Sequence, residues 1–124
     1  MNSHGTPAFV VYRRYFAAVG GLLAALAVAL SAYAMHAAAP ESQARLLQAA
    51  ILAFAHGVAL SALAPLAQRP TGLLALAMLL GGVLLFSGSL LAVAMLGLPS
   101  TLAPFGGALM IGGWLLHAYD RLRG

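Results

Sequence analysis

The hydrophobic positions of this chain form long continuous runs, and the few charged residues mark where the runs stop. Uncharged runs cover residues 15–40, 46–68 and 70–119. An α-helix rises about 1.5 Å per residue, so about 20 apolar residues cross the roughly 30 Å hydrocarbon core of a bilayer. Because the runs are continuous rather than alternating, they predict transmembrane helices and not the strands of a membrane barrel.

The third run is too long for one span and divides at a polar turn. Gly97 and Pro99 favour a turn, and the Ser100-Thr101 pair that follows favours a helix N-cap. Pro104 then falls in the first turn of the last helix, where its missing N–H costs least. The pattern therefore predicts an all-α fold, a single four-helix membrane bundle. Its predicted spans are about 16–38, 46–66, 72–96 and 103–120, after a short flexible tail over residues 1–11.

The arginines predict how the bundle is oriented. Four spans place both termini on one side of the membrane, and basic residues near helix ends favour the cytoplasm. The arginines that share the side of the termini are Arg13, Arg14, Arg69, Arg121 and Arg123. Only Arg45 falls on the other side. Both termini are therefore predicted to be cytoplasmic.

The first run also imitates a secretory signal peptide. Arg13 and Arg14 are followed by an apolar stretch and by Ala32-Tyr33-Ala34, as in a cleavable leader. The run is long enough to span, however, and a cleaved product would contain no soluble passenger. We expect the first span to be retained.

Composition excludes several classes of protein. The chain has 124 residues, of which 63% are hydrophobic and 6% are charged, whereas a soluble domain has about 25% charged residues. A soluble, disordered or collagen-like protein is therefore excluded. With no Cys, the chain has no disulfide, thiolate metal site or Cys nucleophile. The arginines flank apolar segments as orientation signals do, so no nucleic-acid partner is expected.

Small residues predict which helix faces pack together, because helices in lipid associate through close contact and not through hydrophobic burial. The glycines assigned to inward faces are Gly21, Gly57, Gly88, Gly106 and Gly113. Ordinary bundle packing explains such stripes. The alternative is a Gly-lined groove near His56 for a lipid tail or a quinone. Gly57→Leu or Gly88→Leu is predicted to destabilise the bundle by overpacking.

Polar residues at membrane depth are costly and often functional. The candidate functional or packing-critical residues are His36, His56, Ser87 and Ser89. His56 lies about ten residues from either end of its predicted span, near the bilayer midplane. We expect a neutral imidazole bonded to a backbone carbonyl or a serine of a neighbouring helix. A proton relay, a metal or haem ligand and a headgroup contact are the alternatives.

Depth and composition limit the chemistry of these residues. His36 is predicted near the outer face, His56 roughly 15–20 Å below it and His117 near the inner face, so no haem or zinc site within the chain is expected. A nucleophilic Ser87 or Ser89 would need a base and an oxyanion site, and no acid lies inside a span. No cofactor, metal or catalytic residue is therefore predicted, and the chain is not expected to be an enzyme.

Four short segments resemble the YgdD-type family of small inner-membrane proteins, a domain-of-unknown-function family with small transmembrane relatives in animals. They are Ser31–His36, Phe54–Leu60, the Leu-Phe-Ser-Gly-Ser-Leu sequence of Leu85–Leu90, and Ala103–Gly107 with the following Gly112–Trp114. The resemblance covers about residues 16–119. Ser31 and Ala34 stand where that family usually has Gly. The resemblance implies four spans and draws attention to the same histidines and serines, but it implies no activity.

These observations together predict a small multi-pass protein of the bacterial inner (plasma) membrane, without catalysis of its own. It would be a structural or accessory component whose partners are the lipid bilayer and either a larger membrane complex or further copies of itself. The alternative function is binding of a lipid or quinone in the groove near His56.

Overall fold

The computed structural model describes residues 6–124, which form four α-helices. They are α1 (Pro7–His36), α2 (Pro40–Leu63), α3 (Pro70–Leu96) and α4 (Ala103–Leu122), and a 3-10 turn over Ala64–Leu66 extends α2. The prediction of an all-α, four-helix fold is therefore confirmed for this part of the chain.

Local signals set the helix ends. Each α-helix has a proline at its first or second position, where the missing N–H would have no helical partner anyway. At the start of α1, the Thr6 hydroxyl accepts a hydrogen bond from the Phe9 N–H at 3.4 Å. At the end of α3, Gly97 has φ 67°, a left-handed conformation that costs glycine little.

The helix starts differ from the predicted spans. Residues 7–11 of the expected flexible tail are helical, and residues 1–5 of that tail lie outside the described residues. Helix α2 starts at Pro40, before the predicted span at residue 46. The reason is the same in both places: apolar length defines a membrane span, whereas caps and prolines define a helix, and a helix continues beyond the apolar stretch.

The helices form two hairpins that share one core. Helix α1 packs along α2, α3 packs along α4, and the α2–α3 contact joins the hairpins. All four helices contribute to a buried cluster, through Ala27, Ala53, Val83 and Met110 respectively. A second cluster lies around Leu60 and Leu79.

The outer surface of the bundle is apolar. Large hydrophobic side chains are exposed on every helix, for example Leu22, Ile51, Leu84 and Leu115, and exposed apolar surface of this extent marks a contact with lipid or protein. Helix α1, helix α2 with its 3-10 turn, and helix α3 are long and apolar enough to cross a membrane. The fold is therefore consistent with a membrane protein.

Candidate functional site

His56 is buried in α2, and both of its ring nitrogens have partners. Its Nδ1 lies 2.8 Å from the carbonyl oxygen of Leu52, one turn earlier. Its Nε2 accepts a hydrogen bond from the indole N–H of Trp114 on α4 at 3.1 Å. Because a carbonyl only accepts and an indole N–H only donates, this geometry selects the neutral tautomer with hydrogen on Nδ1. The predicted carbonyl partner is present, but on the same helix as His56.

Trp114 contacts a second histidine. Its indole ring lies edge-on to both imidazoles, with centroid distances of 5.8 Å to His56 and 5.8 Å to His117. The sequence places these two histidines at different depths, and the large indole side chain lies between them and contacts both. The sequence analysis did not select Trp114 as a candidate residue. The feature that could have identified it is its indole N–H, a donor that needs a hydrogen-bond partner wherever water is excluded. In residues 6–124 no three His, Asp or Glu side chains converge to hold a metal.

Two serines hydrogen-bond across helix pairs. The Ser87 hydroxyl on α3 donates to the Ala49 carbonyl on α2 at 2.8 Å, and the Ser61 hydroxyl on α2 donates to the Ala17 carbonyl on α1 at 2.9 Å. Since Ser87 donates to Ala49 while both nitrogens of His56 are engaged elsewhere, these two residues form no nucleophile–base pair here. The Ser87 hydroxyl instead ties the two hairpins together.

The four candidate polar residues do not converge on one site. Ser89 is buried in α3, whereas His36 is exposed in the last turn of α1. His56 and Ser87 hold separate interhelical contacts.

Three of the predicted glycines lie where two helices approach closely. A Cβ on Gly57 would lie 2.7 Å from the Gly20 carbonyl oxygen, and one on Gly106 would lie 2.6 Å from that of Gly82. A Cβ on Gly113 would meet the Leu79 side chain at 2.9 Å. Backbone contact this close requires glycine on at least one helix.

The assignment of Gly88 to an inward face was wrong, and Gly21 lies only at the margin of the α1–α2 contact. Both are exposed. A Cβ on Gly88 would have no atom within 4 Å, whereas one on Gly21 would lie 3.8 Å from the Ser61 hydroxyl oxygen. Their sequence neighbours Gly20 and Ser89 are buried instead. One residue along a helix is a rotation of about 100°, so an error of one position moves a residue from a contact face to the outer surface of the bundle.

The predicted Gly-lined groove near His56 is also absent from the described residues. The backbone of Gly20 and Ala24 occupies the space beside Gly57, and the Trp114 ring covers His56. A different groove lies between α1 and α2, with a volume of about 580 Å³, and we call it the α1/α2 groove. Its lining is mostly apolar and includes Ala27, Ala32, Ala50 and Phe54, with Ser31 and His36 as polar members.

A polar cluster ties the start of α3 to the end of α4. The Arg69 guanidinium lies 3.8 Å from the Asp120 carboxylate and donates to the Asp120 carbonyl oxygen at 3.0 Å. The Thr71 hydroxyl donates to the same carboxylate. Asp120 is buried beside the first turn of α3, where the helix dipole favours an anion. The cluster holds the two open ends of the α3–α4 hairpin together. The sequence alone did not indicate this cluster.

The profile of a family described as protein of unknown function (DUF423) matches residues 29–107. The match includes the last eight residues of α1, all of α2 and α3, and the start of α4. The chain belongs to the DUF423 family. The DUF423 match contains His36, His56, Ser87 and the Gly20-facing Gly57, but it ends before Trp114. No functionally described protein and no solved structure matches the chain.

Proposed function

We propose that this DUF423 protein is a YgdD-type, four-span protein of the bacterial inner membrane that acts as a structural or accessory component without catalysis. One observation carries the proposal. Polar side chains at membrane depth bond within the bundle, as His56, Ser61 and Ser87 do, while the outward faces are apolar. Such an arrangement stabilises helix packing and leaves these groups little capacity to act on a substrate.

Helix α4 is proposed as the fourth span. It has 20 residues, which reach about 30 Å at 1.5 Å per residue. Its outward side chains include Phe105, Ile111 and Leu115, and it packs along α3 for most of its length. A fourth span returns the C-terminal arginines to the side of Arg13, as the preference of basic residues for the cytoplasm requires.

Cysteine labelling tests this topology cleanly, because the chain has no cysteine of its own. Ser100→Cys lies in the α3–α4 loop, Gln68→Cys in the α2–α3 loop, and Gly124→Cys beyond α4. In intact spheroplasts, a membrane-impermeant maleimide is expected to label Ser100→Cys and to spare the other two. All three are expected to react once the membrane is opened.

Each outcome of the labelling has one meaning. Labelling of Gly124→Cys together with Ser100→Cys would contradict a spanning α4 and leave three spans. Labelling of Gln68→Cys and Gly124→Cys, with Ser100→Cys spared, would invert the orientation and contradict cytoplasmic termini.

The second candidate function is lipid or quinone binding, and the α1/α2 groove favours it. Its volume of about 580 Å³ is within the roughly 300–1,000 Å³ range of ligand sites. It also combines an apolar lining with Ser31 and His36, as a lipid with a polar end would require.

Native mass spectrometry separates the two candidate functions. If the groove binds a ligand, the gently extracted protein is expected to carry one lipid or quinone per chain. Ala32→Leu, which fills the groove, should lose it, because the added side chain occupies the same space. Ala77→Leu is the matched control on the exposed face of α3 and should retain it. A wild-type chain without a stoichiometric small molecule, alone or with a protein partner, would reject the groove and favour the accessory function.

A further inference from the structure

A small cleft lies between the start of α1 and the 3-10 turn that follows α2. Val10, Arg13, Arg14, Ala17 and Pro65 line it, and its volume is about 270 Å³. We call it the Arg13/Arg14 cleft. It combines two cationic side chains with an apolar wall, whereas the α1/α2 groove has no charged lining residue.

Arg13 is held in place by the end of α2. Its Nε donates at 3.2 Å to the Ala64 carbonyl oxygen, which also accepts a hydrogen bond from the Ala67 N–H at the end of the 3-10 turn. This bond uses Nε and leaves the two terminal nitrogens of the guanidinium for another acceptor. A guanidinium fixed in this way presents its donors in a geometry suited to phosphate oxygens.

No acidic side chain neutralises the cleft. The chain has only two acids, Glu41 and Asp120. Glu41 lies in the first turn of α2, roughly 35 Å from Ala64 at about 1.5 Å per residue. Asp120 is engaged by Arg69 and by the Thr71 hydroxyl. The positive charges of Arg13 and Arg14 are therefore available to bind an anion from outside the chain.

We propose that the Arg13/Arg14 cleft binds the headgroup phosphate of an acidic phospholipid in the cytoplasmic leaflet. The proposal rests on the membrane placement proposed above. Basic pockets between transmembrane helices on the cytoplasmic side suit such headgroups. Ala17 continues the cleft along α1 towards the hydrocarbon, where the acyl chains would lie, and Val10 lines the cleft on the opposite side of the two arginines. The exposed Tyr12 and Tyr15 of the same turns fit the headgroup level, which favours a lipid over a soluble phosphate.

Lipid retention in native mass spectrometry tests this site. The purified protein is equilibrated in micelles that contain phosphatidylglycerol and phosphatidylcholine in equal amounts. Wild-type protein is expected to retain phosphatidylglycerol preferentially, with about a fivefold contribution from each arginine. The double variant Arg13→Gln with Arg14→Gln should lose this preference and retain the two lipids equally. Arg14→Gln alone should lower it about fivefold and leaves the bond from Arg13 to α2 intact.

The matched control removes two arginines elsewhere at the same end of the bundle. Arg121→Gln with Arg123→Gln causes the same loss of net charge and should retain the wild-type preference. An equal loss of the phosphatidylglycerol preference in both double variants would show that the preference depends only on net charge, and would overturn the site. Equal retention of both lipids by the wild type would also overturn it. Displacement of the lipid by an equal concentration of inorganic phosphate would assign the cleft to a soluble anion instead. These results do not depend on the cysteine labelling, so the site and the proposed topology fail separately.

Discussion

Gly106→Ala is expected to destabilise the bundle by about 1–3 kcal/mol, the usual cost of overpacking. A Cβ at this position would lie 2.5 Å from the Phe86 backbone nitrogen and 2.6 Å from the Gly82 carbonyl oxygen. Both are backbone atoms of α3, so no side-chain rotation relieves the clash and the two helices must separate. Separation also weakens the dispersion contacts along the rest of the α3–α4 pair.

Gly88→Ala is the matched control for that substitution. It makes the same chemical change in the interior of α3, but the new Cβ would meet no atom within 4 Å. We expect stability to stay the same or to rise by up to about 1 kcal/mol, because alanine is the better helix former. Denaturant titration in mixed micelles, followed by helix content, measures both variants. A loss of stability for Gly88→Ala equal to that for Gly106→Ala would contradict the assigned helix faces.

His56→Leu and Trp114→Phe are expected to show a coupling energy of about 0.5–1.5 kcal/mol in a double-mutant cycle, the range of interhelical hydrogen bonds in membranes. Each single variant leaves one partner of the 3.1 Å bond without its donor or acceptor. The double variant removes both partners, so it should lose less stability than the sum of the single variants. The bond matters because it links α2 to α4, two helices that belong to different hairpins.

The same titration measures all four proteins of this cycle, and nitrogen NMR of the His56 ring adds an independent readout. Hydrogen on Nδ1 and an Nε2 without hydrogen that accepts a hydrogen bond are expected, because Leu52 accepts and Trp114 donates. Ser61→Ala is a useful comparison, since the bond from Ser61 to Ala17 joins α2 to α1 and not to α4, and it should not couple to Trp114. Strictly additive effects of His56→Leu and Trp114→Phe would show that the two side chains do not interact.

Much of the fold was predictable because long apolar helices are defined by local properties. The divisions at residues 37–39, 67–69 and 97–102 follow from charges, prolines and Gly97. The contacts of the candidate polar residues were harder to predict than the helices. His56 stood out as a buried polar group in an apolar run, but its partner Trp114 lies 58 residues later, and no local pattern joins the two.

The sequence by itself determined the number of helices, their turns and the apolar character of their outer faces, because each depends on residues within a few positions of one another. Only the tertiary structure decided which side of each helix faces a neighbour. That choice separates Gly20 from Gly21 and Ser89 from Gly88, and it places the hydrogen bonds of His56 and Ser87. The physical reason is that small residues occur on two adjacent faces of α1 and α3, so the local sequence does not distinguish the two faces. Which face packs depends on the shape of the partner helix, and that information is distributed over the whole chain.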